Sequence, residues 1–223
     1  MDNDIRDSEL YKRQFGEDSG GGYGLYVLLA CLIFLALFFR VWWKNNYGGV
    51  EVDGASMYQT LHDGEKLLMR YVEDGEGLER GDVIVVYVGD YEECEGIKGG
   101  YLIKRLIAVE GDIVRCKDGQ ISICYAGTYE ENTAVSDLVF QPLEETYAFY
   151  MDKDEYDFEG QTYVVGEGEI FFLGDNRNNS CDSRYKERGG SHLVGKLYKA
   201  TDVYGVVPDW AIEHKETLEK IFF

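Results

Sequence analysis

Hydrophobic and polar positions fall into two regimes along this chain. From Leu25 to Phe39 fifteen residues run without a charge, and Val41, Trp42 and Trp43 carry the run past Arg40. A stretch of that length, whose arginine can snorkel to the interface, predicts a transmembrane helix over residues 25–43, with the tryptophan pair and Tyr47 as an interfacial aromatic belt. After Tyr47 the pattern changes to short runs cut by glycine: VEV (50–52), EKLLMRYV (65–72), DVIVVYV (82–88), YLIKRLIAV (101–109), DIVRC (112–116), QISIC (120–124), TYVV (162–165) and EIFFLG (169–174). Their spacing and β-branched or aromatic content predict an all-β domain of many short strands, with KDG (117–119) turning a hairpin. Only WAIEHKETLEKIF (210–222) reads as helix. The expected fold is mainly β, a single N-terminal transmembrane helix followed by a β-barrel- or sandwich-like domain.

The chain divides accordingly. Residues 1–24 form an acidic tail ending in the flexible lead GGGYG, 25–43 the membrane segment and 44–223 the β-rich domain. Within that domain residues 126–160 are acidic and irregular and read as a solvated insertion; Asp152, Asp154, Asp157 and Glu159 lack the central glycine and spaced glutamate of a calcium loop. A secretory signal peptide is the competing reading of the apolar run. The polar lead of more than twenty residues and the lack of a small-x-small site after it count against that. Charge does not orient the segment, since Arg6, Lys12 and Arg13 precede it and Arg40 and Lys44 close it.

With 223 residues, 45% hydrophobic, the chain has enough apolar material for one core. Its formal net charge of −20 excludes nucleic acid as a partner, because phosphate binding needs clustered lysine and arginine. Cys31, Cys94, Cys116, Cys124 and Cys181 form no CxxC and His62, His192 and His214 are scattered, so neither metal nor cofactor is expected. Cys116 and Cys124 flank the hairpin turn closely enough to be cross-strand neighbours, but no bridge is assigned.

The chemistry turns on three stretches. In DGASMYQTL (53–61) Ser56 reads either as a turn residue or as a nucleophile, and a nucleophile needs a base. The SxxK arrangement fails because position 59 is Gln. On an extended strand Lys104 shares one apolar face with Leu102 and Leu106, an unusual place for a lysine. A free lysine, with a pKa of about 10.4, is a poor base at neutral pH, whereas apolar burial lowers that value by several units. An internal ion pair is the other account of Lys104. In FFLGDNRNNSCDSR (171–184) an apolar run gives way at Gly174 to Asp175, Asn176, Arg177, Ser180, Asp182, Ser183 and Arg184, enough directional groups to orient an amine and to hold an Asp182–Arg184 salt bridge.

In their order along the chain the membrane segment, ASMYQTL (55–61), GDVIVVY (81–87), YLIKRLIAVEGD (101–112), GDNRNNSCDSR (174–184) and HLVGK (192–196) resemble bacterial type I signal peptidase, the Ser/Lys endopeptidase that removes signal peptides. The resemblance implies Ser56 as nucleophile, Lys104 as general base, Ser180 as a hydrogen-bond partner orienting the amine, and Asp175, Asp182 and Arg184 as braces. It implies the Ser56 backbone N–H as oxyanion donor, with Gly54 standing where some members supply a serine hydroxyl. It further implies secretory preproteins as substrates, lipid contact through residues 25–43, a monomer, and a single-pass protein of the bacterial cell membrane with its catalytic domain outside the cytoplasm. Two departures, Gln59 and Glu110 where the family commonly has proline, bear on loop rigidity and not on reacting atoms.

Three other readings compete. A self-cleaving Ser/Lys repressor protease would carry a DNA-binding region in place of the membrane segment. A catalytically inactive relative serving as an assembly factor for surface polymers would be expected to lose Ser56 or Lys104. A plain membrane-anchored β-domain leaves the ordered motifs unexplained.

Overall fold

The computed structural model describes residues 21–89, 98–117, 120–130, 132–151, 162–184 and 197–223. The acidic tail to residue 20, Cys94, the tip of the KDG turn, the acidic group at 152–159 and HLVGK with His192 lie outside the described residues. Two compact units follow one another, Met1–Asn45 and Asn46–Phe223.

The first unit holds helix α1, Gly21–Asn46. Within its Tyr23–Asn46 stretch an 18-residue window has a mean hydropathy of 2.4 and none of that window is buried, so the helix is long and apolar enough to cross a membrane. Apolar side chains ring the helix without favouring one face, which suits hydrocarbon better than a seat on a protein core. The helix starts four residues before Leu25, so Gly21–Gly24 belong to it and not to a flexible lead. Glycine lacks a side-chain reason to stop a helix already propagating through the apolar run.

In the second unit each of the eight apolar runs becomes a strand or part of one. The strands are β1 (Tyr47–Glu51), β2 (Lys66–Tyr71), β3 (Val83–Tyr87), β4 (Tyr101–Val109), β5 (Ile113–Lys117), β6 (Gln120–Cys124), β7 (Gln141–Pro142), β8 (Thr162–Val164), β9 (Glu169–Leu173), β10 (Tyr198–Lys199) and β11 (Val203–Val207). One sheet runs β1-β2-β11-β3-β4-β9-β10 and the other β7-β6-β5-β8, with every strand pair antiparallel. The helical C-terminal segment is two helices, α2 (Asp209–Glu213) and α3 (Lys215–Phe222), broken at His214.

Strands β4 and β9 lie between two cores. Leu106, Ile170 and Phe172 join a cluster with Ile84, Val86 and Tyr198, while Ile107, Phe171 and Leu173 join one with Val114, Ile121 and Tyr163. Burial on both faces explains why YLIKRLIAV and EIFFL are nearly continuous apolar runs rather than alternating ones. The ladder between them slips by one residue between Leu106 and Ala108, and that bulge puts Ile107 and Ala108 in the same cluster.

Two expectations need correction. Cys116 faces Ile121 and Cys124 faces Ile113 across the β5–β6 ladder, so the two buried cysteines are not cross-strand partners and no disulfide joins them. The segment 126–160 is not solvated throughout: β7 pairs with β6, and Glu145, Tyr147, Ala148, Phe149 and Tyr150 are partly buried, because aromatic side chains in an acidic stretch still bury apolar area where they meet a surface.

Candidate active site

Ser56 sits on a turn just after β1. Tyr58 N–H donates to the Ala55 carbonyl at 3.2 Å and Leu61 N–H to the Met57 carbonyl at 2.8 Å. Met57 and Leu61 are fully buried and anchor one side of the turn, which leaves Ser56 facing a cavity. The turn is entered through Gly54 at φ +92°, a conformation that favours glycine, and its N–H donates to Asp63 Oδ1 at 2.7 Å. A serine at this position would need another backbone shape.

Lys104 reaches the serine from β4, paired opposite Ile84 of β3. It is 2% exposed, and its Nζ lies 2.7 Å from Ser56 Oγ and 2.9 Å from the Ile103 carbonyl. The residues flanking it on its face, Leu102 and Leu106, are half-buried and buried. A cavity of about 640 Å³ opens above the pair, lined by Asp53, Gly54, Leu102, Asn178, Ser180 and Cys181 among others. A smaller cavity of about 150 Å³ adjoins it between residues 50–53 and 101–104, with Val52, Met57, Val85 and Leu102 in its walls.

The loop after β9 closes the site from the other side. Asp175, fully buried, accepts from Arg105 Nε at 2.8 Å and Nη2 at 2.7 Å, and from Thr60 Oγ1 at 2.5 Å. One carboxylate thus joins the residue after Lys104 to the turn that carries Ser56. Asn176 N–H donates to the Ser56 carbonyl at 2.9 Å, and its Nδ2 to the Ala55 carbonyl at 3.0 Å. Asp182 accepts from Arg184 Nε at 2.7 Å and Nη2 at 2.8 Å and from Gly174 N–H at 3.0 Å, all buried, which ties the far end of the loop to its beginning. A Cβ on Gly174 would collide with Ser180 Oγ and come within 2.6 Å of the Ser56 carbonyl, so only glycine lets the loop approach this closely.

Of the residues singled out in the sequence, Ser56, Lys104 and Ser180 share the cavity and Asp175, Asp182 and Arg184 lie behind it. The expected Ser180–Lys104 hydrogen bond is not made: Ser180 Oγ is buried without a hydrogen-bond partner. Its hydroxyl packs against Gly174 instead of turning to the amine. Arg105 and Thr60 are not among the residues singled out in the sequence, and Asn176, one of the directional groups of the 171–184 stretch, holds the Ser56 and Ala55 carbonyls and not the amine. The signal for Arg105 was present in YLIKRLIAV, where a second cation inside an apolar strand requires a buried carboxylate partner. No group of three or more metal-binding side chains occurs among the described residues.

A serine hydroxyl against a buried amine on the floor of an open cleft equips a protein for acyl transfer, the chemistry of a serine hydrolase. A family model described as signal peptidase, peptidase S26, matches residues 23–211. Signal peptidase I of Bacillus licheniformis is 35% identical over 156 residues, 68% of this chain and 72% of that protein. Signal peptidase I U of Bacillus subtilis is 30% identical over 160 residues, 71% and 75% of the two chains, and signal peptidase I of Streptococcus pneumoniae 30% over 204 residues, 82% and 88%. The chain belongs to the signal peptidase family, peptidase S26. It is a serine peptidase, a hydrolase of the kind that removes signal peptides.

Proposed function

We propose that this protein is a membrane-anchored endopeptidase that cuts exported preproteins after a small-x-small site, with Ser56 as nucleophile and Lys104 as general base. The observation that carries the reading is the 2.7 Å approach of Lys104 Nζ to Ser56 Oγ at 2% lysine exposure. Desolvation favours an amine in its neutral form, the form that can accept a proton.

In the acylation step Ser56 Oγ attacks the scissile carbonyl while Lys104 takes the hydroxyl proton and returns it to the leaving amine. A water activated by the same amine then releases the acyl-enzyme. The Ser56 N–H is the oxyanion donor. Gly54 contributes no hydroxyl and its own N–H is held by Asp63, so a backbone donor or a water supplies that stabilisation. Ser180, buried in the same cavity, is placed to meet the amine or the substrate backbone once a ligand displaces its packing.

The substrate reading has a steric and a topological support. The 150 Å³ cavity beside Ser56 is small and walled by Val52, Val85 and Leu102, dimensions suited to a small apolar side chain. On one side of the gap β1 ends its sheet, and on the other residues 101–104 extend beyond the β9 ladder, which begins at Arg105, so an extended peptide has backbone to pair with. Helix α1 supplies the anchor in lipid, with the catalytic unit on the extracytoplasmic side, acting as a monomer.

The test is cleavage of a preprotein with an Ala-x-Ala site in lipid or detergent, with the cut mapped by mass spectrometry. Cleavage after the last small residue, abolished when that residue is made leucine, is the expected result. No cleavage by folded wild type would transfer the protein to the catalytically inactive assembly-factor reading.

A further inference from the structure

Residues 145–151 belong by sequence to the acidic insertion, yet they pack on each part of the catalytic machinery. Phe149 N–H donates to the Asp175 carbonyl at 2.8 Å and Arg177 N–H to the Phe149 carbonyl at 2.9 Å, a parallel bridge that lays the segment alongside the catalytic loop. Met151 N–H donates to Asn178 Oδ1 at 2.9 Å. The Phe149 ring meets Tyr58, two residues past Ser56, edge-on at 5.2 Å.

Two cations complete the attachment. The Tyr147 ring lies 4.0 Å from the Arg105 guanidinium, which Asp175 holds through two hydrogen bonds. Arg177, fully buried, donates through Nη2 to Glu145, through Nε to the Gly174 carbonyl at 3.0 Å and through Nη1 to Tyr150 Oη at 3.3 Å. Its pair with Glu145 is 0% and 7% exposed, so neither charge has water to fall back on. Burial pushes the Tyr147 phenol up to about 12, which keeps the ring neutral over Arg105 at ordinary pH.

The geometry points to a positioning strap: the segment 145–151, rooted in the second sheet through β7, fixes Arg105 and the loop at 174–178 and so sets the distance between Ser56 and Lys104. The inference rests on the reading of Ser56 and Lys104 as the reacting pair. Arg105 adjoins Lys104 on β4, and Asn176 holds the Ser56 carbonyl, so movement of either strap contact reaches one partner of the pair directly. Tyr147 and Glu145 touch neither reacting atom in this account; they act through Arg105 and Arg177.

The experiment measures preprotein cleavage by full-length wild type, Tyr147→Phe, Tyr147→Leu and Glu145→Gln, with melting temperatures to check folding. Tyr147→Phe keeps the ring and retains wild-type kcat. Tyr147→Leu and Glu145→Gln lower kcat about tenfold with KM nearly unchanged, the effect of a sub-ångström misplacement. In both, the acid limb of kcat/KM moves to higher pH, because a loosened site admits water to the amine. A purely structural role would lower melting temperature and leave that limb in place. Folded Tyr147→Leu and Glu145→Gln with wild-type kcat and acid limb overturn the strap, as does a Tyr147→Phe variant as impaired as Tyr147→Leu. If Tyr147→Leu does not fold, Glu145→Gln decides by the same criteria. Inactive wild type removes the dyad and the strap together, whereas active wild type with unaffected variants removes the strap alone.

Discussion

Lys104 and Ser56 meet at 2.7 Å but are held by different forces. The lysine stands on a nine-residue strand laddered to β3 and, from the next residue on, to β9, with apolar cores on both faces of that strand. Its place is set by regular hydrogen bonding and the hydrophobic effect, and every neighbour contributes a little. The serine stands on a turn whose only deep anchors are Met57 and Leu61. What fixes its backbone comes from far along the chain: Asn176 on the Ala55 carbonyl, 121 residues away, and Asp175 on Thr60, 115 residues away. The lysine side should therefore tolerate conservative apolar changes, while the serine side is set by a few polar contacts that cannot be traded one for another.

The sharpest way to break this asymmetry is at Asp175, a carboxylate that holds both sides. Asp175→Ala leaves Arg105 buried without its charge partner and frees Thr60; chemical denaturation should show a loss of about 3–5 kcal/mol. Gly174→Ala comes next. Its Cβ must displace Ser180 and the Ser56 carbonyl, at about 1–3 kcal/mol of overpacking, and cleavage should fall much further than stability does. Asn176→Ala should cost about 1 kcal/mol in the same denaturation experiment while lowering kcat, since it releases the Ala55 carbonyl without touching β4.

The smallest expected effect lies at the edge of the serine side, where Lys215 of α3 donates to Glu65 at 2.9 Å and to the Thr60 carbonyl at 3.3 Å. Burial pushes the Glu65 carboxyl up, but the hydrogen bonds from Lys215 and the His62 amide, with their charges, bring it below its usual value. A carboxyl depressed in the folded state stabilises above its unfolded pKa, and that contribution is lost as pH falls through the folded value. Glu65→Gln should therefore lower stability slightly near neutral pH, by no more than about 1 kcal/mol for a partly exposed pair, seen as a small drop in melting temperature, and have no effect in strong acid.

The same division decided how much the sequence revealed. The membrane-length helix and eight strands were legible because each is a continuous local pattern of apolar residues. Strand β11, central between β2 and β3, was not: Gly205 interrupts its five residues, and that glycine is there because the Arg70 carbonyl passes 2.8 Å from where a Cβ would stand. Lys104 stands out in the sequence as a cation on an apolar strand, but the residues alone leave it open between base and ion pair, and Ser56 between turn and nucleophile. Ordered family motifs, and not periodicity, paired them. The roles of Asn176, Thr60 and the 145–151 segment were out of reach, because polar contacts across more than a hundred residues, or between Tyr147 in a bend and Arg105 on β4, leave no local period to read; for Arg105 the strand showed that a carboxylate was needed but not which one. Cys116 and Cys124 show the same limit at short range, where the ladder register and not the turn decides who faces whom.

The central claim is that one hydroxyl and one buried amine do the chemistry. It is tested most directly by cleavage of a single preprotein by wild type, Ser56→Ala, Lys104→Met and the double variant, each confirmed folded. The account predicts a loss of at least about 10⁴-fold in each single variant and no further loss in the double, because the two groups act as a unit. Retention of substantial activity by Lys104→Met, or a double variant far below both singles, would contradict it.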